Sequence, residues 1–467
     1  MAPSDLADFS ALDLLAAYRS GAASPLEAVD AVLGRAANWE PGLGALFALD
    51  AEGARAAAVA SAARWRRGAP IGPLDGVPIT VKDLIATKGV PTPVGTAAGD
   101  MSPAADDAPP AARVREAGAI IFAKTTMPDY GMLSSGVSSF HPLGRNPWDL
   151  ARTAGGSSGG AAAACAAGLG PLHLGTDIGG SVRLPAGWCG IFALKPSFGR
   201  VPVDPPYLGR VAGPMTRTVA DSALLMSVLS RPDWRDHMSL PPLDIAWQHL
   251  DFDPCGKRIG LMMHAGCGLP VDAEIAAAVE SAVRQFEQAG AIVAPVAPFL
   301  TAELLHLLDL FWRVRFYGII ALLPEARRGK ILPFIRDWAE EAAYTTGSQV
   351  YAGFDAIMRL RALGNQAMQC FDFLLSPTAP VAAFAAELPC PTNNARLPFE
   401  HIAFTVPFNM TEQPAASINC GFTAAGLPIG LQIVGRRFDD LGVLQAASWF
   451  EGMIPQPRWP EGRKTSF

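Results

Sequence analysis

From Thr153 to Ile178 the chain carries seven glycines and a single charge, Asp177. A run so poor in charge must be hidden from water, and it is long enough to cross a bilayer. Pro171, His173 and the Ser157-Ser158 pair among those glycines argue against a span and for backbone buried inside a protein. Burying it requires a large core, and the chain can supply one. Of 467 residues, 50% are hydrophobic and 17% charged, against a typical charged share of about 25%. Disorder is excluded for most of the length. With 37 basic and 43 acidic residues, a net of −6, there is no electrostatic reason to expect nucleic acid as a partner, and no membrane partner is expected either. Asp5, Asp8 and Asp13 at the amino end break the basic-then-apolar order of a secretory signal. The seven cysteines are scattered without a Cys-x-x-Cys pair, so the expectation is reduced thiols in the core of a cytoplasmic protein, and no metal site.

Residues 1–70 read as helical. Ser24-Pro25-Leu26-Glu27 offers an N-cap, a proline at the first helical position and a capping-box glutamate. After Gly76 the texture becomes strand, helix, strand: 77–81 is β-branched, 111–117 is helical with Gly118 as its stop, and 119–123 is apolar again. The pattern returns with a strand at 258–263, a helix capped by Asp272 that places Ile275, Val279, Val283 and Phe286 on one face, and a strand at 291–293. Two such units far apart predict an α/β fold with one extensive sheet. Residues 300–370 are helical and rich in aromatics, which are expected to lie over the sheet and shape a pocket.

The segment Gly155-Gly156-Ser157-Ser158-Gly159-Gly160 precedes the alanine-rich run 161–167. That order makes a tight loop opening a helix, where free N–H groups can hold an anion or a developing oxyanion. No lysine follows the glycines, so a phosphate-binding P-loop is excluded. Gly155 to Gly159 also fits the Gly-x-Ser-x-Gly elbow with Ser157 as nucleophile, which leaves an α/β-hydrolase-type esterase open. None of the lysines has a serine three positions before it, which removes the penicillin-binding arrangement. A second loop, 175–185, places Ser181 directly after Gly179 and Gly180, so successive N–H groups can face one point beside its hydroxyl. Upstream, Lys82 ends the strand-like run 77–81.

Taken together, the three segments resemble the amidase signature family, over 69–225 and again at Pro407-Phe408-Asn409 and Gly426 to Gln432. The resemblance implies a large mixed, mainly parallel sheet covered on both faces by helices, as one domain over 1–467 with its signature core at 71–230. It implies Ser181 as nucleophile, Ser157 as a cis-configured bridging serine and Lys82 as base. Backbone N–H groups of Ile178, Gly179 and Gly180 would form the oxyanion hole, supported by Ser158, Thr176, Asp177 and Arg183. No cofactor is called for. The expected reaction is hydrolysis of a small aryl or alkyl amide through an acyl-enzyme.

The family also includes the glutaminase component of a tRNA-dependent amidotransferase. Ile178 stands where that component usually has threonine, and 407–414 look more like the free-standing enzymes. An inactive scaffold is disfavoured because all three triad positions are filled. Tyr130, Met132, Leu133, Phe140, Trp312 and Phe316 are expected at the pocket wall. No interface patch stands out in the chain, which leaves a homodimer open.

A base at Lys82 must be uncharged. From a reference pKa near 10.4, neutrality at pH 7 in an exposed site costs about 4.6 kcal/mol, so burial has to depress the pKa. Asp83 is adjacent, and strand alternation should turn it away from the amine.

Overall fold

Side-chain caps set the first three helices of the computed structural model, which describes residues 5–454 and 459–460. Ser10 and Ser24 form capping boxes at α1 (Ala11–Ser20) and α2 (Pro25–Leu43), and Asp50 caps α3 (Ala51–Arg66). A two-residue strand, β1 (Leu46–Phe47), interrupts this helical region. Next come β2 (Pro78–Lys82), α4 (Pro109–Glu116) and β3 (Ile120–Thr125), the first expected parallel unit. They are followed by α5 (Gly159–Ala167), β4 (Leu172–Asp177), α6 (Arg183–Cys189), β5 (Phe192–Lys195), β6 (Val211–Thr216) and α7 (Val219–Leu229). The second unit is β7 (Arg258–Leu261), α8 (Ala273–Gln288) and β8 (Ile292–Pro295). Residues 300–370 hold α9 (Ala302–Ala321), α10 (Glu325–Arg328), α11 (Pro333–Glu340) and α12 (Gly347–Ala367). The remaining elements are β9 (Phe373–Pro377), α13 (Pro407–Met410), β10 (Ala415–Phe422), β11 (Pro428–Gly435) and α14 (Asp440–Glu451).

All eleven strands join one sheet, in the order β1-β3-β2-β4-β6-β5-β10-β11-β9-β7-β8. It is mixed, but the parallel share is smaller than expected. Four pairings are parallel and six antiparallel. The reason is local: only the two βαβ units run parallel, and the strands between them are threaded by the β10–β11 hairpin and by β6 doubling back along β4. Because β6 is antiparallel to β4, the start of β6 lies beside the carboxyl end of β4, with Val211 opposite Asp177.

Alternation divides the strand residues between two cores. Val77, Ile79, Val81, Leu172 and Leu174 pack with Leu225, Val279, Val283, Phe286 and Phe450 of the helices on one face. The intervening residues meet α5 on the other face, where Gly175 approaches Ser158. There Thr80 Oγ1 meets His173 Nδ1 at 2.7 Å between β2 and β4. Asp272 occupies the N-cap of α8, yet its side chain makes no cap bond, unlike the sequence expectation. All seven cysteines are free, but Cys255 and Cys370 are exposed, because they sit in turns beside β7 and β9 and not in the core. Among the described residues, no helix is long and apolar enough to cross a membrane.

The Ser24 hydroxyl accepts from Glu27 N and donates to Glu27 Oε2 at 2.8 Å. Ser24→Ala is expected to cost about 1 kcal/mol, read as faster amide hydrogen exchange in the first turn of α2.

Candidate active site

The first functional side chain is delivered by a buried strand. Every residue of β2 is buried, and its last, Lys82, is 0% exposed. Its amine lies 2.8 Å from Ser157 Oγ, 2.9 Å from Ser158 Oγ and 2.9 Å from Thr176 Oγ1. Burial pushes the Lys82 pKa down to about 7, against the attraction of Asp177 and Asp83, and the Arg210 charge acts in the same direction as burial. Asp83 turns its carboxylate to the backbone N–H groups of Val94 and Gly95 and to His141 Nε2, so it forms no ion pair with the amine.

The Gly-Ser loop brings the second group. The Gly156–Ser157 peptide is cis, and Ser158 is the N-cap of α5. The Ser157 hydroxyl is partnered by Lys82 and by no histidine, which removes the serine-histidine elbow reading. Ser158 N donates to the Ser181 carbonyl at 3.1 Å, docking the third segment against the second.

The loop after β4 is held from below by Asp177. Its carboxylate accepts from Gly180 N at 2.8 Å, from Val182 N at 3.1 Å and from Arg183 Nη2 at 2.9 Å. Burial alone would raise the Asp177 pKa, but the Arg183 guanidinium and Asn409 override it and hold the carboxyl well below the usual range. Arg183 is also 0% exposed, and its remaining donors go to the Thr405 carbonyl, Gln432 Oε1 and Asn409 Oδ1. Gly180 has φ +130°, and a side chain there would run into Thr405 and Leu184. Only glycine fits.

One expected donor changes role. Gly180 N–H is committed to Asp177, so it does not join an oxyanion hole. Among the described residues, the N–H groups of Ile178, Gly179 and Ser181 have no protein acceptor. Ser181 and Ile178 are half-buried, at the boundary between the buried amine and solvent.

A cleft over this loop is lined by Met132, Leu133, Ile178, Ser181, Trp312 and Ile402, together with Phe399. Among the described residues, no charged side chain lines it. A larger cavity of about 290 Å³ lies at the opposite end of β4, around Gly170, Arg217 and Glu451, and contains none of these groups. Size alone therefore does not locate the site.

The family profile described as "Amidase" matches residues 27–444. The chain belongs to the amidase family. It is 36% identical to the GatA-type component of the glutamyl-tRNA(Gln) amidotransferase of Myxococcus xanthus (strain DK1622), over 96% of this chain and 97% of that one. It is 33% identical to an acylamidase of Rhodococcus erythropolis, over 96% of this chain and 95% of that one. Its structure is similar to that of a bacterial aryl acylamidase of the amidase signature enzymes family, with a TM-score of 0.89, 29% identity and 96% of each chain covered.

Within this amidase-family fold, Lys82, Ser157, Ser158 and Thr176 meet directly, and Asp177 and Arg183 support the loop of Ser181. Of the six expected wall residues, Met132, Leu133 and Trp312 line the cleft. Tyr130 and Phe316 pack on each other, ring centroids 6.0 Å apart, outside its lining. Phe140 is elsewhere: it stacks edge-on against Phe47 and His141, drawn away by the short β1 strand. Phe399, Ile402, Thr405 and Asn409 join the site without a sequence expectation, because the irregular stretch before and into α13 has no periodicity that points at residues 177–183. The Pro407-Phe408-Asn409 match is the one signal the sequence offers there.

Removing the Asp177 charge strands a buried guanidinium. Asp177→Asn is expected to cost about 3–5 kcal/mol, measured by urea unfolding.

Proposed function

We propose that the chain is an amidohydrolase in which Lys82, Ser157 and Ser181 form a proton relay and a nucleophile, acting on small aryl or alkyl amides. The observation that carries this reading is the fully buried Lys82 amine, with its pKa near 7, 2.8 Å from Ser157 Oγ. Uncharged, the amine has two N–H bonds and one lone pair. The N–H bonds suit Ser158 Oγ and Thr176 Oγ1, which leaves the lone pair for the Ser157 hydroxyl.

Lys82 takes the Ser157 proton, Ser157 takes the Ser181 proton, and Ser181 Oγ attacks the amide carbon. The oxyanion develops against the N–H groups of Ile178 and Gly179, with that of Ser181 beside them. The proton then returns along the relay to the leaving nitrogen, the C–N bond breaks, and ammonia or an amine departs. Water attacks the acyl-enzyme by the same path and releases the acid.

The substrate class follows from the cleft. Ile178, Trp312, Phe399 and Ile402 offer apolar surface and no charge, which favours an aryl or alkyl group beside the scissile bond. A second reading, a glutaminase that works only with partner chains, is favoured by the 36% identity to the Myxococcus amidotransferase component. The uncharged cleft weighs against it, since glutamine brings an ammonium and a carboxylate. Release of amine or ammonia from a panel of aryl and alkyl amides by the purified chain alone supports the first reading. Turnover of glutamine only after partner chains are added would replace it with the second.

Ser181→Ala is expected to abolish turnover, and a fluorophosphonate should label Ser181. Labelling of Ser157 instead would remove Ser181 as nucleophile. Because the base must be deprotonated, kcat/KM is expected to fall as pH drops through about 7 and to level off above it. Lys82→Ala should lower the rate by about 10²–10⁴-fold and recover in part at high pH. A profile unchanged by that substitution would sink the relay.

A further inference from the structure

Two arginines at the rim of this site lack anionic partners. Arg210 immediately precedes Val211, which pairs with Asp177, so it stands beside the start of the nucleophile loop at the carboxyl end of β4. With Thr176, whose hydroxyl contacts Lys82, it lines a small cavity that also touches Asp204 and Pro205. Arg315 comes from the opposite side. It lies on α9 three residues beyond Trp312, which lines the Ser181 cleft. Its guanidinium sits 3.6 Å above the Tyr207 ring centroid, and Tyr207 is tied to Arg210 by a turn in which Arg210 N donates to the Tyr207 carbonyl at 2.9 Å. The two side chains thus converge on one turn from two elements.

Like charges brought together and partly stripped of water are costly unless an anion joins them. Burial and the neighbouring Arg315 charge lower the Arg210 pKa to about 10, and burial lowers that of Arg315. Among the described residues, neither guanidinium forms an ion pair with a carboxylate. Asp204 and Asp236 act on Arg210 only at longer range, and Asp236 spends one oxygen on Val203 N. Stacking on Tyr207 satisfies the face of Arg315 but leaves in-plane N–H donors available, the edge that pairs with a carboxylate. A guanidinium also cannot take the route open to Lys82, because it stays protonated at neutral pH.

We propose that Arg210 and Arg315 form an anion subsite, and that the amide cleaved here carries a carboxylate beyond its scissile bond in addition to its apolar group. This rests on the amidohydrolase reading above and narrows it. The apolar group occupies the cleft of Trp312, Phe399 and Ile402, and the carboxylate reaches the turn at 207–210.

The test uses two matched pairs of amides with the purified full chain. N-phenylacetylglycine against N-ethylphenylacetamide places the carboxylate on the amine side, and succinanilic acid against N-phenylbutanamide places it on the acyl side. In one pair, kcat/KM for the carboxylate is expected to exceed that of its neutral match by about tenfold or more, the worth of one charge-assisted hydrogen-bond pair. The side on which it does so identifies the group that Arg210 and Arg315 hold. In Arg210→Gln and Arg315→Gln that ratio should fall toward one, and the lysine variants should retain part of it. A ratio within one preparation cancels general losses of folding or rate, including any effect of Arg210 on Lys82. Ratios at or below one in both pairs, or a preference that survives both glutamine variants, overturn the subsite while leaving amide hydrolysis intact. Failure of the wild-type chain to cleave any of the four amides overturns the amidohydrolase reading and the subsite with it.

Discussion

The buried ion pair between Asp177 and Arg183 is the interaction on which the site's geometry depends. Both side chains are fully buried, so neither charge could persist without the other. Asp177 ends β4 and organises the loop that follows, while Arg183 begins α6 and gathers Thr405, Asn409 and Gln432. One pair therefore ties the nucleophile loop to segments more than 200 residues away in the chain. The same carboxylate occupies Gly180 N–H, which leaves the N–H groups of Ile178 and Gly179 pointing at no protein acceptor among the described residues. Rigidity of the loop and availability of its donors come from the same contact.

The Lys82 amine poses the opposite problem. It is as deeply buried as Arg183 but has no carboxylate beside it, only hydroxyls. A charged amine there would be under-compensated, and the pKa near 7 expresses that balance. Asp83 would restore the charge if its carboxylate reached the amine. Its commitment to Val94, Gly95 and His141 keeps it occupied, so the turn at 94–95 contributes to the basicity of a residue it does not touch.

Much of this was legible in the sequence wherever a local rule applied. The Ser24 capping box, the two βαβ units and the Gly-Ser loop opening a helix each follow from spacing over a few residues, and each is present. What depended on distant pairing was not legible. The antiparallel centre of the sheet arises from how β5, β6, β10 and β11 meet, which no window of sequence contains. Phe140 lies away from the expected pocket because a two-residue strand, too short to show periodicity, holds Phe47 beside it. Gly180 reads as a free donor in the sequence because the reach of the Asp177 side chain back over its own loop is a matter of rotamer, not of residue order.

Three cationic environments now sit within one region, and their differences bear on specificity. Arg183 is neutralised by a partner, and Lys82 is neutralised by losing a proton. Arg210 and Arg315 have neither remedy within the described chain: the first faces a small cavity and the second stacks on Tyr207. Relief for them must come from solvent or from a ligand, and solvent is partly excluded at both positions. An apolar cleft on one side of Ser181 and two unpaired guanidiniums on the other describe a substrate with unlike ends. A wholly apolar amide would fill the cleft and leave the arginines uncompensated, whereas a carboxylate-bearing amide would satisfy both without any new charge entering the buried core.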